Sequence, residues 1–197
     1  MKRSLFALVL AAALPLSAQA GELSYTYVEG GYVNQDFGSG LGTYDGYNIG
    51  GSYNFADTGF YVAGNYEAAS GQSGPFDIDL DRGLLGFGYH HSVTDNADFV
   101  VQADYADLRE STPFGDFSEN GYRVSAGFRG TVTEKLELGA MARYEHLSGT
   151  LDSSNTTLDV QAQYKFNETL GLVGGVEIGK RYEQDVVVYN LGLRASF

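Results

Sequence analysis

The side chains with the greatest capacity for chemistry are charged residues set at even spacings within alternating segments. Seven are cations: Arg82, Arg123, Arg129, Arg143, Lys165, Arg181 and Arg194. Seven are carboxylates: Glu29, Glu67, Asp104, Glu137, Glu145, Asp159 and Glu177. In an extended chain, residues two apart point the same way. Arg123 and Arg129 then oppose Tyr122, Val124, Ala126 and Phe128, and Asp159 and Lys165 oppose Leu158, Val160, Ala162 and Tyr164. The fourteen charges are assigned to one polar face, which is close to neutral because the two signs are equal in number. An unpaired buried charge is costly, so a mesh of ion pairs is the expected outcome. A polar lining that selects small solutes is the alternative.

Nucleophilic chemistry has one candidate spacing, His90-His91-Ser92, in which His90 and Ser92 share a face. It lies beside a predicted turn, Thr94-Asp95-Asn96, and its side chains point to the polar face. His146 sits apart, near a predicted loop, with no Ser or Asp arrangement beside it. Asp77, Asp79 and Asp81 alternate and could share a face that holds a divalent cation, though such acids are more often simply solvated. There is no cysteine, no EF-hand loop and no Cys/His metal set. The glycines alternate within strands instead of opening a helix, so no phosphate loop is present. The expectation is no catalytic residue, no metal site and no cofactor.

The elements that position these residues are ten alternating segments, near 22–33, 44–55, 59–69, 80–93, 97–109, 119–132, 136–147, 157–166, 170–182 and 186–197. Segments of about ten alternating residues are the signature of transmembrane β-strands. Short polar turns fall at Ala56-Asp57-Thr58, Thr94-Asp95-Asn96, Thr133-Glu134-Lys135 and Asn167-Glu168-Thr169. Longer Gly-, Ser- and Asp-rich stretches alternate with them, at 34–43, 70–79, 110–118 and 148–156. Short periplasmic turns opposite longer external loops are a barrel pattern. Only three prolines occur, which suits a backbone whose donors nearly all enter ladders. Phe55, Phe60, Phe99, Phe166 and Phe197 gather near the turns, and Tyr66, Tyr105, Tyr122 and Tyr144 near the loops, as two interfacial girdles. The predicted fold is all-β: a transmembrane antiparallel up-and-down barrel of ten strands, with eight as the alternative. Ten strands leave little lumen beyond side chains.

One segment resists simple parity. Tyr25 and Tyr27 share a face with Glu29. Either all three face inward, or a bulge near Gly30-Gly31 switches faces. Glu29 inward is the preferred reading, because a bare carboxylate facing lipid costs free energy.

The first 20 residues read as a cleaved signal peptide. Lys2 and Arg3 lead, an apolar stretch follows, and Ala18 and Ala20 frame an A-x-A site, so residues 21–197 form the predicted barrel domain. Without Lys2 and Arg3, 10 basic residues face 25 acidic ones, which argues against a nucleic-acid partner. No later segment offers 18 consecutive apolar residues. A closed barrel is the other structure that satisfies every backbone group in lipid.

Tyr189, Leu191, Leu193, Ala195 and Phe197 share one parity, and the chain stops at the phenylalanine. This segment resembles the closing strand of Gram-negative outer-membrane barrels, which implies that the barrel-assembly machinery reads it. Leu23-Ser24-Tyr25-Thr26-Tyr27-Val28-Glu29-Gly30-Gly31-Tyr32-Val33 resembles the mature N-terminus of a family of small barrels from plant-associated Gram-negative bacteria, first described as secreted signalling or immunity-eliciting proteins. Thr26 departs from the Asn expected there. The resemblance implies location and fold more than activity. Barrel enzymes that deacylate lipid A use a His-x-Ser spacing, but His90 and Ser92 would sit at the periplasmic end, away from that lipid. The reading is therefore an integral, non-enzymatic outer-membrane protein with a structural or surface-interaction role. Its partners would be outer-membrane lipid, the assembly machinery and external contacts through loops. A narrow passive channel is the second reading, and a lipid-modifying enzyme the third.

Overall fold

The computed structural model describes residues 23–38, 42–56, 58–149, 152–181 and 184–197. The leader and the Ala18 and Ala20 site lie outside them. The strands are β1 (Tyr27–Asp36), β2 (Thr43–Asn54), β3 (Phe60–Ser73), β4 (Phe76–Thr94), β5 (Ala97–Thr112), β6 (Gly115–Thr133), β7 (Leu136–Gly149), β8 (Ser153–Lys165), β9 (Leu170–Arg181) and β10 (Gln184–Ser196). Each strand pairs antiparallel with its sequence neighbours, and β1 pairs with β10 to close the barrel. Closure leaves no sheet edge in the spanning region, the condition for a β-structure to lie in hydrocarbon. Among the described residues no helix is long and apolar enough to cross a membrane.

The outer surface is apolar in a band. Ile49, Leu85, Phe87, Val124, Leu172, Val176 and Leu191 are exposed there. Phe55, Phe60, Phe99, Phe166 and Phe197 bound it at the end where β1 begins and β10 ends, and Tyr66, Tyr105, Tyr122 and Tyr144 at the other. At that second rim the Tyr66 hydroxyl donates to Asp81 at 2.6 Å, and Tyr144 shares a 3.2 Å hydrogen bond with Ser154. The ring body stays with lipid while the hydroxyl turns to polar groups above.

Three of the predicted external loops are strand instead. β3 and β4 pair up to Ser73 and Phe76, β5 and β6 up to Thr112 and Gly115, and β7 and β8 up to Leu147 and Ser153. The alternation continues there with its outer face changed. Ile78 and Leu80 still turn inward, while Asp77, Asp79 and Asp81 occupy the outer face. Above the girdle no lipid demands apolar residues, so the segment reads as a polar loop although its period is that of a strand. Protease on intact cells should therefore cut at tips such as 74–75 and 113–114, and spare the paired residues beneath. The turn at Thr94-Asp95-Asn96 should be cut only after the envelope is opened. Mapping fragments by mass checks both, and cleavage at that turn in intact cells would invert the topology.

Glu29 is settled by register. β1 pairs continuously from Tyr27 opposite Ser196 to Asp36 opposite Val187, with no bulge at Gly30-Gly31. Val28 and Tyr32 are exposed, so Tyr27 and Glu29 turn to the lumen. The register shifts lie near turns instead, between Ser92 and Thr94 and between Thr131 and Thr133. Gly88 stands opposite Tyr61 on the inner face, where an added Cβ would meet the tyrosine ring at 2.1 Å. The missing side chain is the room that the ring occupies.

Candidate functional site

All fourteen charges of the polar face lie on the inner side of the barrel, and thirteen of them are in ion pairs. Glu67 accepts a hydrogen bond from Gln35 Nε2 at 2.6 Å. Register explains part of the pairing. Glu29 stands opposite Arg194, and Asp104 opposite Arg123, and these pairs close at 2.5 and 3.0 Å. Elsewhere register sets like against like. Asp159 and Glu177 face each other across β8 and β9, an arrangement that costs stability unless a cation intervenes. Arg143 from β7 does so, reaching Asp159 at 3.1 Å and also bonding Glu177. Arg181 bonds the other Glu177 oxygen at 2.7 Å and Gln35 at 3.1 Å. Arg82 leaves its register partner Glu67 and pairs with Glu145, which also accepts from Asn155 at 3.2 Å. Glu137 is shared by Arg129 at 2.7 Å and Lys165 at 2.6 Å.

Apolar residues pack at both ends of this mesh. Val33, Tyr44, Ala69, Val186 and Val188 form one buried cluster at the rim end, and Leu84, Ala106 and Leu147 another. Tyr25, Tyr61 and Val100 form a third at the opposite end, where β1 begins. Between them lies a cavity of about 240 Å³, bordered by Tyr27, Glu29, Asn48, Asn65, Glu177 and Arg194. The Tyr25 end is tied down by the segment that precedes β1. Ser24 Oγ donates to the Phe197 carbonyl at 3.0 Å, and Arg129 donates to the Ser24 carbonyl at 2.7 Å. The Arg129 guanidinium also lies 4.8 Å from the Tyr25 ring centre.

The His-x-Ser spacing resolves into a different arrangement from a nucleophile and its base. Ser92 Oγ donates to one oxygen of Asp98 at 2.8 Å, and His90 Nδ1 lies 3.1 Å from the other. That second oxygen also accepts the Tyr25 hydroxyl at 2.9 Å, and the Tyr25 ring stacks on His90 at 3.8 Å. The carboxylate stands between hydroxyl and imidazole, so His90 is not placed to take the Ser92 proton as a triad base would. His90 Nε2 instead faces the Asn54 side-chain oxygen at 3.3 Å.

His146 corrects the sequence expectation of isolation. Its two ring nitrogens lie 3.2 Å from Ser154 Oγ across the strand pair and 3.3 Å from Ser148 Oγ. Serine 148 was legible at two residues' distance; Ser154 lay in a stretch read as loop. Asp77 bonds Gln72 at 2.9 Å and Asp81 bonds Tyr66, so the three aspartates do not converge. Among the described residues no three His, Cys, Asp or Glu side chains gather as a metal site. Sequence reading missed Asp98, although it shares parity with Asp104, because it sits next to a turn. It also missed the amides Gln35, Gln102, Gln161 and Gln163 that complete the mesh. Gln161 and Gln163 each accept from Arg194 at 3.1 Å, and Gln102 donates to Asp104 at 2.7 Å.

A closed antiparallel barrel with an apolar belt outside and a neutralised charge mesh inside defines an integral outer-membrane protein. The chain belongs to the outer membrane protein beta-barrel domain family, whose model matches residues 6–166. No curated protein matches the chain significantly. Among solved structures, Neisserial surface protein A is similar at 17% identity and a TM-score of 0.51, covering 88% of this chain and 98% of that one. The NanC porin is similar at 12% identity and a TM-score of 0.53, covering 87% and 100%. The translocator domain of the autotransporter NalP from Neisseria meningitidis is similar at 10% identity and 0.51, covering 91% and 90%. At these identities the likeness speaks for the fold.

Proposed function

We propose that the protein is a non-conducting, non-catalytic outer-membrane barrel whose working part is the sheet that rises above the tyrosine girdle. The observation that carries this reading is a contrast within one molecule. The lumen is crossed by ion pairs that border a cavity of about 240 Å³, and apolar residues pack at both ends, while β3 to β6 continue well past the rim. An ion-paired lumen packed at its ends serves stability, and extra strand beyond the bilayer serves neither span nor closure. The Ser92–Asp98–His90 order supports the absence of hydrolytic chemistry. The resemblance of residues 23–33 to barrels of plant-associated bacteria, and the leader with Ala18 and Ala20, support an exported protein that meets the cell's surroundings.

The test shortens the β3–β4 and β5–β6 hairpins to the rim by joining the strands through Asn-Gly turns. The barrel should still refold and migrate as a folded species on unboiled gels. It should fail to restore cell attachment to a deletion strain that the full chain restores. If the shortened protein restores every phenotype that the full chain does, the working part is the barrel itself.

A further inference from the structure

The two ends of the lumen are shut by different means. At the rim the closing residues belong to strands: Val33, Tyr44, Ala69, Val186 and Val188 in one cluster, Leu84, Ala106 and Leu147 in the other. Their backbone cannot withdraw without breaking strand pairs. At the other end the closing ring is Tyr25, which lies ahead of β1 and outside the strands. It is 6% exposed, stacks on His90, lies 5.5 Å from the Tyr61 ring, and packs with Val100 and Leu23. Tyr25, Tyr61 and Val100 also border the cavity. One layer of side chains therefore separates the cavity from the outside here. This is the end of the short turns, which the barrel pattern sets in the periplasm.

The Tyr25 segment is fastened by contacts that can be released without stranding a charge. Thr26 is fixed beside the strands, its carbonyl accepting the Phe197 N–H at 2.9 Å and its Oγ1 accepting the Asn54 N–H at 3.1 Å. Ahead of that anchor, three hydrogen bonds tie residues 23–25 to the rest of the barrel: Ser24 Oγ to the Phe197 carbonyl, Arg129 to the Ser24 carbonyl, and the Tyr25 hydroxyl to Asp98. If the segment lifts, Arg129 keeps Glu137, and Asp98 keeps Ser92 and His90. No buried charge is left alone, which is what makes most contacts of the mesh costly to break. The loss is one buried ring with its Arg129 contact, and three hydrogen bonds whose groups pass to water.

We infer that residues 23–25 are a hinged plug, which swings about Thr26 and opens the cavity to the periplasm while the rim end stays shut. The inference adds a moving part to the barrel and does not depend on the hairpins above the girdle. The wall it uncovers is polar with its charges paired, Asn48, Asn65 and Gln161 standing beside the Glu29–Arg194 pair. A small uncharged polar reagent therefore suits it as a probe.

The chain has no cysteine, so a single introduced thiol reports alone. Asn65→Cys places one on the cavity wall, and Val186→Cys places one in the rim cluster, at a site 1% exposed. The refolded full barrel in phosphatidylcholine nanodiscs is treated with methyl methanethiosulfonate, and labelling is timed by intact mass. With Tyr25 in place, Asn65→Cys should label far more slowly than a surface thiol. Tyr25→Ser should speed that labelling roughly tenfold or more, as loss of a buried ring and of a hydrogen bond to a carboxylate shifts a local opening equilibrium. It should leave Val186→Cys unchanged. Tyr25→Phe keeps the ring, loses the Asp98 bond, and should fall between. Surface-like labelling of Asn65→Cys with Tyr25 in place overturns the proposal, as does no acceleration by Tyr25→Ser. Equal acceleration of both thiols also overturns it, because the whole barrel has then loosened. If Tyr25→Ser fails to refold, Tyr25→Phe decides: faster labelling of Asn65→Cys alone supports the plug, and an unchanged rate overturns it.

Discussion

Val176→Arg is expected to lower folding stability by about 2–4 kcal/mol, the cost of a cation on the lipid face near the bilayer midplane. Val176 lies on the outer face of β9, with Leu172 and Ile178 on the same side and Glu177 on the other. Its register neighbours are Tyr189 on β10 and Val160 on β8, so no carboxylate stands beside it on either strand. A long arginine would have to reach for a rim while its stem crosses hydrocarbon. Urea titration of protein refolded in lipid vesicles checks the value. The parity control is Glu177→Leu on the same strand. If Val176→Arg is neutral and Glu177→Leu is accepted freely, the two faces of β9 have been exchanged.

Glu177→Gln is expected to cost about 3 kcal/mol, at the low end of the range for removing one partner of a buried ion pair. Glu177 is buried and bonds two arginines. After substitution Arg143 keeps Asp159, while among the described residues Arg181 keeps its hydrogen bond to the neutral Gln35 and a longer-range attraction to Glu145, which Arg82 already holds. The cavity beside them admits water to the stranded guanidinium, and loss of the Asp159–Glu177 repulsion returns part of the penalty. Both effects hold the cost below that of a dry pair. A double-mutant cycle with Arg181→Gln isolates the contact. Arg181→Gln should cost clearly less in the Glu177→Gln background than alone. Strict additivity in the same vesicle titration would mean that the mesh does not act through this pair.

Much of the barrel was legible because lipid and lumen impose opposite demands on adjacent residues. Phe99, Val101 and Tyr105 against Gln102 and Asp104 fix strand, period and face at once. The inward set followed from parity, since a spanning strand offers only two sides. The partners did not follow. Parity alone leaves every inward cation open to Glu177, yet Arg194 is taken by Glu29 across the closing seam, and Arg143 and Arg181 are the ones that hold it. Pairing across a lumen depends on register, tilt and side-chain reach, which no local pattern carries. The rising hairpins were missed for a related reason. Beyond the girdle the outer face is free to be acidic, so Asp77, Asp79 and Asp81 masked the strand period that Ile78 and Leu80 still keep.

Planar-bilayer recording of the refolded, full-length barrel tests most directly whether its lumen is structural. The protein should insert and yield a flat trace at molar salt, because ion pairs cross the midsection around its cavity and the Tyr25 and Val33 clusters pack at the ends. Steady, ion-selective current steps from the unaltered protein would contradict this and make the barrel a channel.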